Sequence, residues 1–297
     1  MWTIRPARPA DVEGLRELDR EAFQATLRRE REYFEFWMQT DPEGALVAEE
    51  DGVLVGMNMN HARGRNGWFG PLAVKPQWQG RGVGRQLLEA GLAYLESRHC
   101  QTIGLDTFGE NPVAVSLYLH YGFAVAGANL MLHAPSRLGP FPAAPAGLEV
   151  RPLEAPDVDA VVEIIEQQSG FARRPDVEFH LHWEQACGFK LCESSSGSLR
   201  GFALALPKKG QGSIGPVYLE EGLDLEAGAL PLLGACMGFL ARRGVPEVRV
   251  HAFGDDVRWL NLLFAQGFRL RTLMVRMIRG QTLPRRGLFT PFVSEKG

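Results

Sequence analysis

The chain has 297 residues, of which 45% are hydrophobic and 23% are charged, and its formal net charge at pH 7 is −3. This balance is typical of a globular protein with one large domain or two domains of roughly 150 residues. Because there is no basic excess, wholesale binding to nucleic acid or to an anionic membrane has no electrostatic support. No apolar run approaches the length of a membrane span. We therefore expect neither nucleic acid nor membrane as a partner.

The cysteines indicate a reducing environment. There are four of them, Cys100, Cys187, Cys192 and Cys236, too few and too scattered for a disulfide scaffold. The start "MWTIRPARPADVEGLREL" has no apolar signal core. We expect a cytoplasmic protein.

The sequence contains an internal duplication. "IRPARPADVEGLREL" from Ile4 resembles "VRPLEAPDVDAVVEI" from Val150, an offset of 146, and residues 70–123 align without a gap with a second copy at an offset of 145. Between the copies, "PSRLGPFPAAPAG" has the composition of a linker rather than of a packed element. The predicted organisation is a first copy at 1–134, a linker at 135–147, a second copy at 148–280 and a C-terminal tail at 281–297.

The predicted elements of the first copy follow one another in an α/β order. An extended start at Trp2 to Arg5 leads into a helix opened by "PAD", and then into the aromatic amphipathic segment "REYFEFWMQT". Two strands surround the Asp51-Gly52 turn, and a short apolar strand, "WFGPLAV", follows. After a glycine-rich loop and its helix come the strand "TIGLDTF", the helix "PVAVSLYLHY" and the closing stretch "FAVAGANLML". The pattern predicts a mixed sheet with helices between its strands.

The glycine-rich loop is the strongest functional signal. In "QGRGVGRQLL", glycines occupy every second position between an apolar strand and a helix. A glycine-rich turn before a helix can be purely structural. Removing side chains here, however, also exposes successive backbone N–H groups at the positive end of a helix, which forms a nest for an oligophosphate. The loop lacks the Gly-Lys-Ser/Thr ending of a P-loop, and Arg85 stands where the dinucleotide fingerprint requires glycine.

The residues from Gln79 to Gly84 resemble the Gln/Arg-x-x-Gly-x-Gly/Ala signature of the GNAT family of acyl-CoA-dependent N-acetyltransferases. The later "NPVAVSLYLHYGF" is similar to that family's Asn…Leu-Tyr…Gly-Phe segment. The resemblance covers about residues 1–134 and implies two tandem GNAT-like domains that use acetyl-CoA as co-substrate and no metal. The implied acetyl-CoA-binding residues are Leu72, Ala73, Val74, Gln79, Gly80, Arg81, Gly82, Val83, Gly84, Arg85 and Asn111.

The resemblance also implies a proton donor. Tyr118 matches the family tyrosine whose hydroxyl lies near the sulfur, where it would protonate the departing CoA thiolate. Its helical spacing with Ala114, Leu117 and Tyr121 is equally typical of plain core packing. Asn111 has a similar alternative, because an asparagine before Pro112 is a natural helix N-cap.

The general base is less determined by the sequence. Asp106, at the end of its strand, is the best-placed candidate, and His61, Glu110, Glu32 and Glu35 stand behind it. The aromatic run from Tyr33 to Trp37 would line the acceptor side, with an aromatic core as the equal alternative.

A group of histidines and cysteines in the second copy resembles a metal site in composition only. His180, His182, Cys187 and Cys192 have the residue types of a metal site, but the repeat aligns this segment with a helical pattern, on which positions i and i+2 point apart. We interpret them as ordinary helix residues and expect no metal.

The second copy has lost the chemistry of the first. At the offset of 145, Gly82 corresponds to Ala227, Arg81 to Glu226 and Tyr118 to Leu263. Like charges facing a pyrophosphate oppose binding. The leading hypothesis is therefore an acetyl-CoA-dependent N-acetyltransferase with one active copy. Its acceptor would be a small-molecule amine or a protein amino group, and a homodimer is an open alternative. The rival hypothesis is a non-catalytic acyl-CoA-binding or scaffold protein.

Overall fold

The computed structural model describes residues 1–23, 29–182, 186–208, 210–281 and 287–291. Within the first copy these residues form six strands and four helices. The strands are β1 (Thr3–Pro6), β2 (Ala45–Glu50), β3 (Val53–Arg63), β4 (Asn66–Val74), β5 (Thr102–Phe108) and β6 (Ala124–Pro135). The helices are α1 (Val12–Ala22), α2 (Arg31–Thr40), α3 (Val83–Ser97) and α4 (Pro112–His120).

The second copy repeats this order and adds a short strand from the C-terminal tail. Its strands are β7 (Leu148–Pro152), β8 (Cys187–Glu193), β9 (Leu199–Leu206), β10 (Gly212–Leu219), β11 (Glu247–Phe253), β12 (Arg269–Gly280) and β13 (Leu288–Phe289). Its helices are α5 (Val158–Ser169), α6 (Arg174–His182), α7 (Leu225–Arg242) and α8 (Val257–Ala265). The predicted mixed α/β order is confirmed. Cys187 and Cys192 lie on β8, so the expectation that they are helix residues is wrong.

The two copies share one sheet, and they exchange their last strands. The order is β1-β2-β3-β4-β5-β12-β6-β11-β10-β9-β8-β7, with β13 paired to β10. Strand β12 of the second copy therefore lies antiparallel to β5 of the first, while β6 of the first lies antiparallel to β11 of the second. The boundaries at 134 and 148 stay a prediction about the chain. In the folded chain, the last strand of each copy pairs with a strand of the other copy.

The segment between the copies packs against the second copy's core. Leu138, Phe141 and Ala144 contact the hydrophobic cluster built around α7. A Cβ at Gly234 of α7 would lie 2.6 Å from the Phe141 Cβ, so the helix needs glycine for this approach. The prediction that residues 135–147 are unpacked is thus wrong for these three side chains, because their apolar surface is removed from water.

Helix α7 corrects a second expectation. By length and composition alone it could cross a membrane, whereas the sequence analysis found no such run. Half of this helix is buried, and Leu232, Leu233 and Met237 lie in the core of the second copy. A core helix of this kind passes the same length test, so we give it no weight as a membrane signal.

Candidate functional site

The site begins where β4 and β5 separate. The two strands pair in parallel only from Asn66–Trp68 to Thr102–Gly104 and then diverge. A bulge in β4 contributes, because Gly70 and Pro71 of β4 stand opposite the single Met59 of β3 between the pairs Asn58–Leu72 and Asn60–Phe69. A Cβ at Gly70 would lie 1.8 Å from the Met59 carbonyl oxygen, so only glycine fits at this bend.

The separation leaves a cleft of about 60 Å³ between the strands. Its walls come from β4, β5 and α4, from the middle of β12, and from Phe23 and Arg29 beside the α1–α2 connection. The lining residues are Phe23, Arg29, Phe69, Gly70, Pro71, Leu72, Leu105, Asp106, Thr107, Phe108, Tyr118 and Met274. This places the predicted Leu72, Asp106 and Tyr118 together. Ala73 is buried against the opposite core, and Val74 lies at the end of β4.

The glycine-rich loop lies at the N-terminus of α3. Gly80 and Gly82 have φ values of 74° and 94°, in the left-handed region that favours glycine, and an added Cβ would meet nothing within 4 Å at either position. Gly82 is the N-cap residue, so no side chain occupies the first amides of the helix. The predicted backbone nest is therefore compatible with the structure.

The side chains around this nest have separate roles. The Gln79 Nε2 donates to the Val74 carbonyl at 3.1 Å and ties the loop to the end of β4. Val83 is fully buried in a core cluster, so it offers only its backbone. Gly84 lies inside α3. Arg81 lies over the Trp78 ring at 5.0 Å, and its side chain is within the exposed loop.

Arg85 has competing partners. Its Nε donates to the Glu89 carboxylate and to the Tyr121 hydroxyl, both at 3.0 Å. Its side chain is about two-thirds exposed, so solvent screens this pairing strongly. A phosphate could therefore replace these partners at small cost.

Tyr118 satisfies both interpretations made from the sequence. The residue is 6% exposed and its ring packs edge-on against Phe69 and Phe123, with centroids 5.9 and 5.8 Å away. It also lines the cleft. Burial raises the pKa of the Tyr118 hydroxyl above its ordinary value, so the side chain stays protonated and can act as a donor.

Asn111 is an N-cap. Its Oδ1 accepts a hydrogen bond from the Ala114 N–H at 3.1 Å at the start of α4. Asp256 caps α8 in the same way through the Trp259 N–H. Because both copies retain this cap, its presence does not by itself point to acetyl-CoA, and the binding role of Asn111 stays a prediction.

The structure does not support Asp106 as the base. Its carboxylate accepts from Arg276 Nε at 2.9 Å and Nη2 at 2.8 Å, and from Asn129 Nδ2 at 2.6 Å. The side chain is fully buried. Both carboxylate oxygens are thus already engaged by donors of the same chain, and the group is not placed to take a proton from an incoming amine. The sequence could not reveal this, since Arg276 lies 170 residues away.

The other base candidates lie outside the cleft lining. His61 is fully buried beside Trp37, and its Nδ1 lies 3.4 Å from Asp41. Burial lowers the pKa of His61, against the opposing effect of Asp41, so the ring is neutral. Glu32, Glu35 and Glu110 are exposed to solvent, and Glu35 pairs with Arg31.

The aromatic run on α2 forms core. Tyr33, Phe34, Phe36 and Trp37 are all buried in one cluster between α1, α2 and the sheet. The expectation that this run lines the acceptor side is therefore wrong, and its alternative is right. In the described ranges, no group of three or more His, Cys, Asp or Glu residues is arranged to hold a metal ion.

In the second copy the two parallel strands separate in the same way, but the gap between them is filled by a strand of the same chain. Strands β10 and β11 pair only from Gly212–Ile214 to Val248–Val250. Beyond that point β13 lies along β10, with Tyr218 opposite Phe289 and Leu219 opposite Leu288. Val217, which corresponds to Leu72, donates its N–H to Thr290 Oγ1 at 2.8 Å and accepts from the Thr290 N–H at 3.0 Å. The sequence analysis missed this strand in the tail; residues 282–286 and 292–297 lie outside the described residues.

The N-terminus of α7 is also closed. Asp224 is its N-cap, and the carboxylate accepts from the Ala227 N–H at 2.8 Å. The adjoining cleft is lined by Glu220, Glu221, Asp256 and Arg258 among others. The amide that would face a phosphate is thus satisfied by an acid of the same chain.

Comparisons with known proteins agree with this geometry. The profile of the Acetyltransferase (GNAT) family matches residues 12–123. A mycothiol acetyltransferase from Streptomyces avermitilis is 38% identical over 98 residues, which is 32% of this chain and 32% of that protein. The match therefore spans about a third of this relative's length.

Solved structures share the fold over the whole length. A putative acetyltransferase from Pyrococcus horikoshii superposes with a TM-score of 0.80 at 22% identity, covering 100% of this chain and 96% of the other. A tandem GNAT protein from the clavulanic acid biosynthesis pathway superposes with a TM-score of 0.72 at 15% identity, covering 94% and 98%. The family profile thus matches residues 12–123, in the first copy, and the two superpositions show that the whole chain has the fold of these proteins.

Proposed function

We propose that this protein is an acetyl-CoA-dependent N-acetyltransferase that transfers the acetyl group to a primary amine by direct attack in a ternary complex. One observation carries the proposal. In the first copy, Tyr118 lines the cleft where β4 and β5 separate, and Gln79 ties the loop before the glycine-capped N-terminus of α3 to the end of the same β4. This is the arrangement that a long ligand with a phosphate end and a reactive thioester end requires.

The chain's own groups would bind and orient the co-substrate, which supplies an activated thioester. The amides at the start of α3 would hold the pyrophosphate, with Arg81 and Arg85 beside it. The open edge of β4 around Leu72 would pair with the amide-bearing arm. Pro71 has no N–H, so an N–H elsewhere on this strand would stabilise the developing oxyanion, which is typically worth about 10²–10³ in rate.

Tyr118 would complete the transfer. The neutral nitrogen of the acceptor forms a bond to the carbonyl carbon, the C–S bond breaks, and the electron pair stays on sulfur as a thiolate. The Tyr118 hydroxyl gives its proton to this thiolate, the attacking nitrogen releases a proton to solvent, and the tyrosinate takes a proton back from solvent. A tyrosine that the cleft holds in its protonated form fits this step.

The second copy would bind no acetyl-CoA in this mode. Three observations support this: β13 occupies the edge of β10, Asp224 caps α7, and Leu263 replaces the tyrosine. Its role would be to support the first copy and to shape its acceptor cleft. The match to mycothiol acetyltransferases covers only a third of their length, so their acceptor is not assigned to this chain.

The test combines binding and turnover. Calorimetric titration of the full chain should give one acetyl-CoA per chain, and a panel of primary amines should release free CoA thiol. A stoichiometry of two would contradict the assignment of a single active copy. Binding without thiol release from any amine would favour the non-catalytic alternative.

A further inference from the structure

The acceptor side of the first copy's cleft has a wall supplied by the second copy. In β12, Val275 and Met277 pack into the core formed with α3 and α4 of the first copy. Because side chains alternate along a strand, Met274 and Arg276 point to the other face of the sheet. Met274 is 4% exposed, stands opposite Phe108 of β5 and lines the cleft beside Tyr118.

Arg276 fixes the position of this wall. It lies opposite Asp106 in the β5–β12 register and binds the carboxylate through two nitrogens. Its guanidinium also lies between the Trp68 ring of the first copy, 4.9 Å away, and the Phe253 ring of the second, 4.6 Å away. A planar guanidinium held by a carboxylate and two rings cannot shift along the strand without losing several contacts. It therefore pins Met274 two residues along.

Among the residues that the structure describes, the charged groups that line this face are paired with each other or with buried partners. Asp106 is paired with Arg276, and Arg29 is paired with the buried Asp19. The remaining side chains on the acceptor face near Tyr118 include Phe23, Phe108 and Met274, which are apolar. Such a surface stabilises an apolar group by burial and offers no ion pair to a second cationic group.

We propose that Met274 is a specificity-determining residue for the acceptor, held in place by Arg276 as a positioning residue, and that the acceptor carries an apolar body next to its reacting amine. This inference rests on the proposed acetyl transfer and goes beyond it in naming the class of acceptor. The second copy thereby contributes a substrate-contacting side chain to the first copy's site.

The experiment measures kcat/KM for three amines with the full chain: 2-phenylethylamine, spermidine and glucosamine. The wild type should prefer 2-phenylethylamine. Met274→Glu should lower the ratio of 2-phenylethylamine to spermidine at least tenfold, and Met274→Ala should lower kcat/KM for 2-phenylethylamine about fivefold or more. Arg276→Lys, which keeps the charge but loses the fork, should change the ratio in the same direction. Leu270→Glu, on an exposed position of the same strand, is the matched control and should leave the ratio unchanged.

The outcomes separate this inference from the proposed function. Acetyl-CoA affinity, measured by calorimetry, should be the same in all variants, which also shows that they are folded. A wild type that prefers spermidine or glucosamine overturns the inference while leaving acetyl transfer intact. Equal ratios for Met274→Ala, Met274→Glu and Leu270→Glu overturn it as well. Acetyl-CoA binding with no transfer to any amine contradicts both, whereas absence of acetyl-CoA binding contradicts the proposed function itself.

Discussion

The two copies contain the same parallel strand pair, which separates after three residues in each, and they fill the resulting gap differently. In the first copy the edge of β4 faces a cleft beside Tyr118. In the second, β13 pairs with the same edge, and Thr290 bonds both backbone groups of Val217. A separated strand pair leaves buried backbone groups that need partners. The second copy pairs these groups with its own chain, whereas in the first copy the same edge faces the cleft.

The helices α3 and α7 also differ at their N-termini, where only the second copy satisfies the backbone with its own side chain. Gly82 leaves the first amides of α3 uncapped by any side chain, whereas Asp224 caps α7. The second copy thus supplies from its own chain a hydrogen bond that the first copy leaves open at the same position. This comparison can be tested at each of its three points of difference.

The largest effect is expected at the loop. Gly82→Glu should weaken acetyl-CoA binding by at least 100-fold, because it forces a carboxylate towards the pyrophosphate and a side chain onto a φ of 94°. Ala227→Glu, the corresponding change in the second copy, should leave affinity unchanged. Calorimetric titration of the two full-length variants checks this, with thermal melts to show that both are folded. Equal losses in the two variants would mean that the copies do not differ in the way described.

The second effect concerns the proton donor. Tyr118→Phe should lower kcat by about 10²–10⁴ and leave acetyl-CoA affinity nearly intact, because only a proton donor is removed. Tyr218→Phe, a buried tyrosine of the second copy, should change kcat less than twofold. Unchanged kcat in Tyr118→Phe, with chemistry shown to be rate-limiting, would exclude the donor role.

The pH profile sharpens the same point. The donor is active when protonated, and burial raises the Tyr118 pKa, so loss of the proton moves to higher pH. No decline in kcat due to Tyr118 is therefore expected below pH of about 10, the ordinary tyrosine value.

The smallest expected effect is a slower exchange of backbone amide hydrogens along β4. Hydrogen exchange in residues 70–74 should slow about tenfold when acetyl-CoA is added, because the open edge of β4 gains a partner. Residues 215–219 should exchange slowly with or without acetyl-CoA, since β13 already protects them. Exchange followed by mass spectrometry checks both segments in one sample. Protection that appears in residues 215–219 only on adding acetyl-CoA would show that β13 yields its place to a ligand.

The sequence predicted the elements well because each depends on local pattern. The hairpin at Asp51-Gly52, the N-cap at Asn111 and the repeated order of elements all correspond to described elements. The pattern also predicted which residues of the second copy differ from the first at the loop and at Tyr118, because a repeat allows position-by-position comparison.

What the sequence could not predict depends on partners far along the chain. Alternation in β12 shows which side chains share a face, but it does not say whether β5 or β11 is the neighbouring strand. For the same reason the sequence alone leaves Asp106 as a plausible base, because its partner Arg276 lies 170 residues away. Strand β13 has two residues, too few to show any periodicity.

The strand exchange has a consequence for how the chain is made. Strand β5 ends at Phe108, yet its neighbour β12 begins only at Arg269, so the first copy cannot close its sheet during synthesis until the second copy has almost left the ribosome. Such long sequence separation slows folding and prolongs the exposure of β5 as an open edge. We therefore expect the gene to tolerate substitutions in either copy far better than separation of the two. Each copy thus depends on the other to complete its part of the sheet.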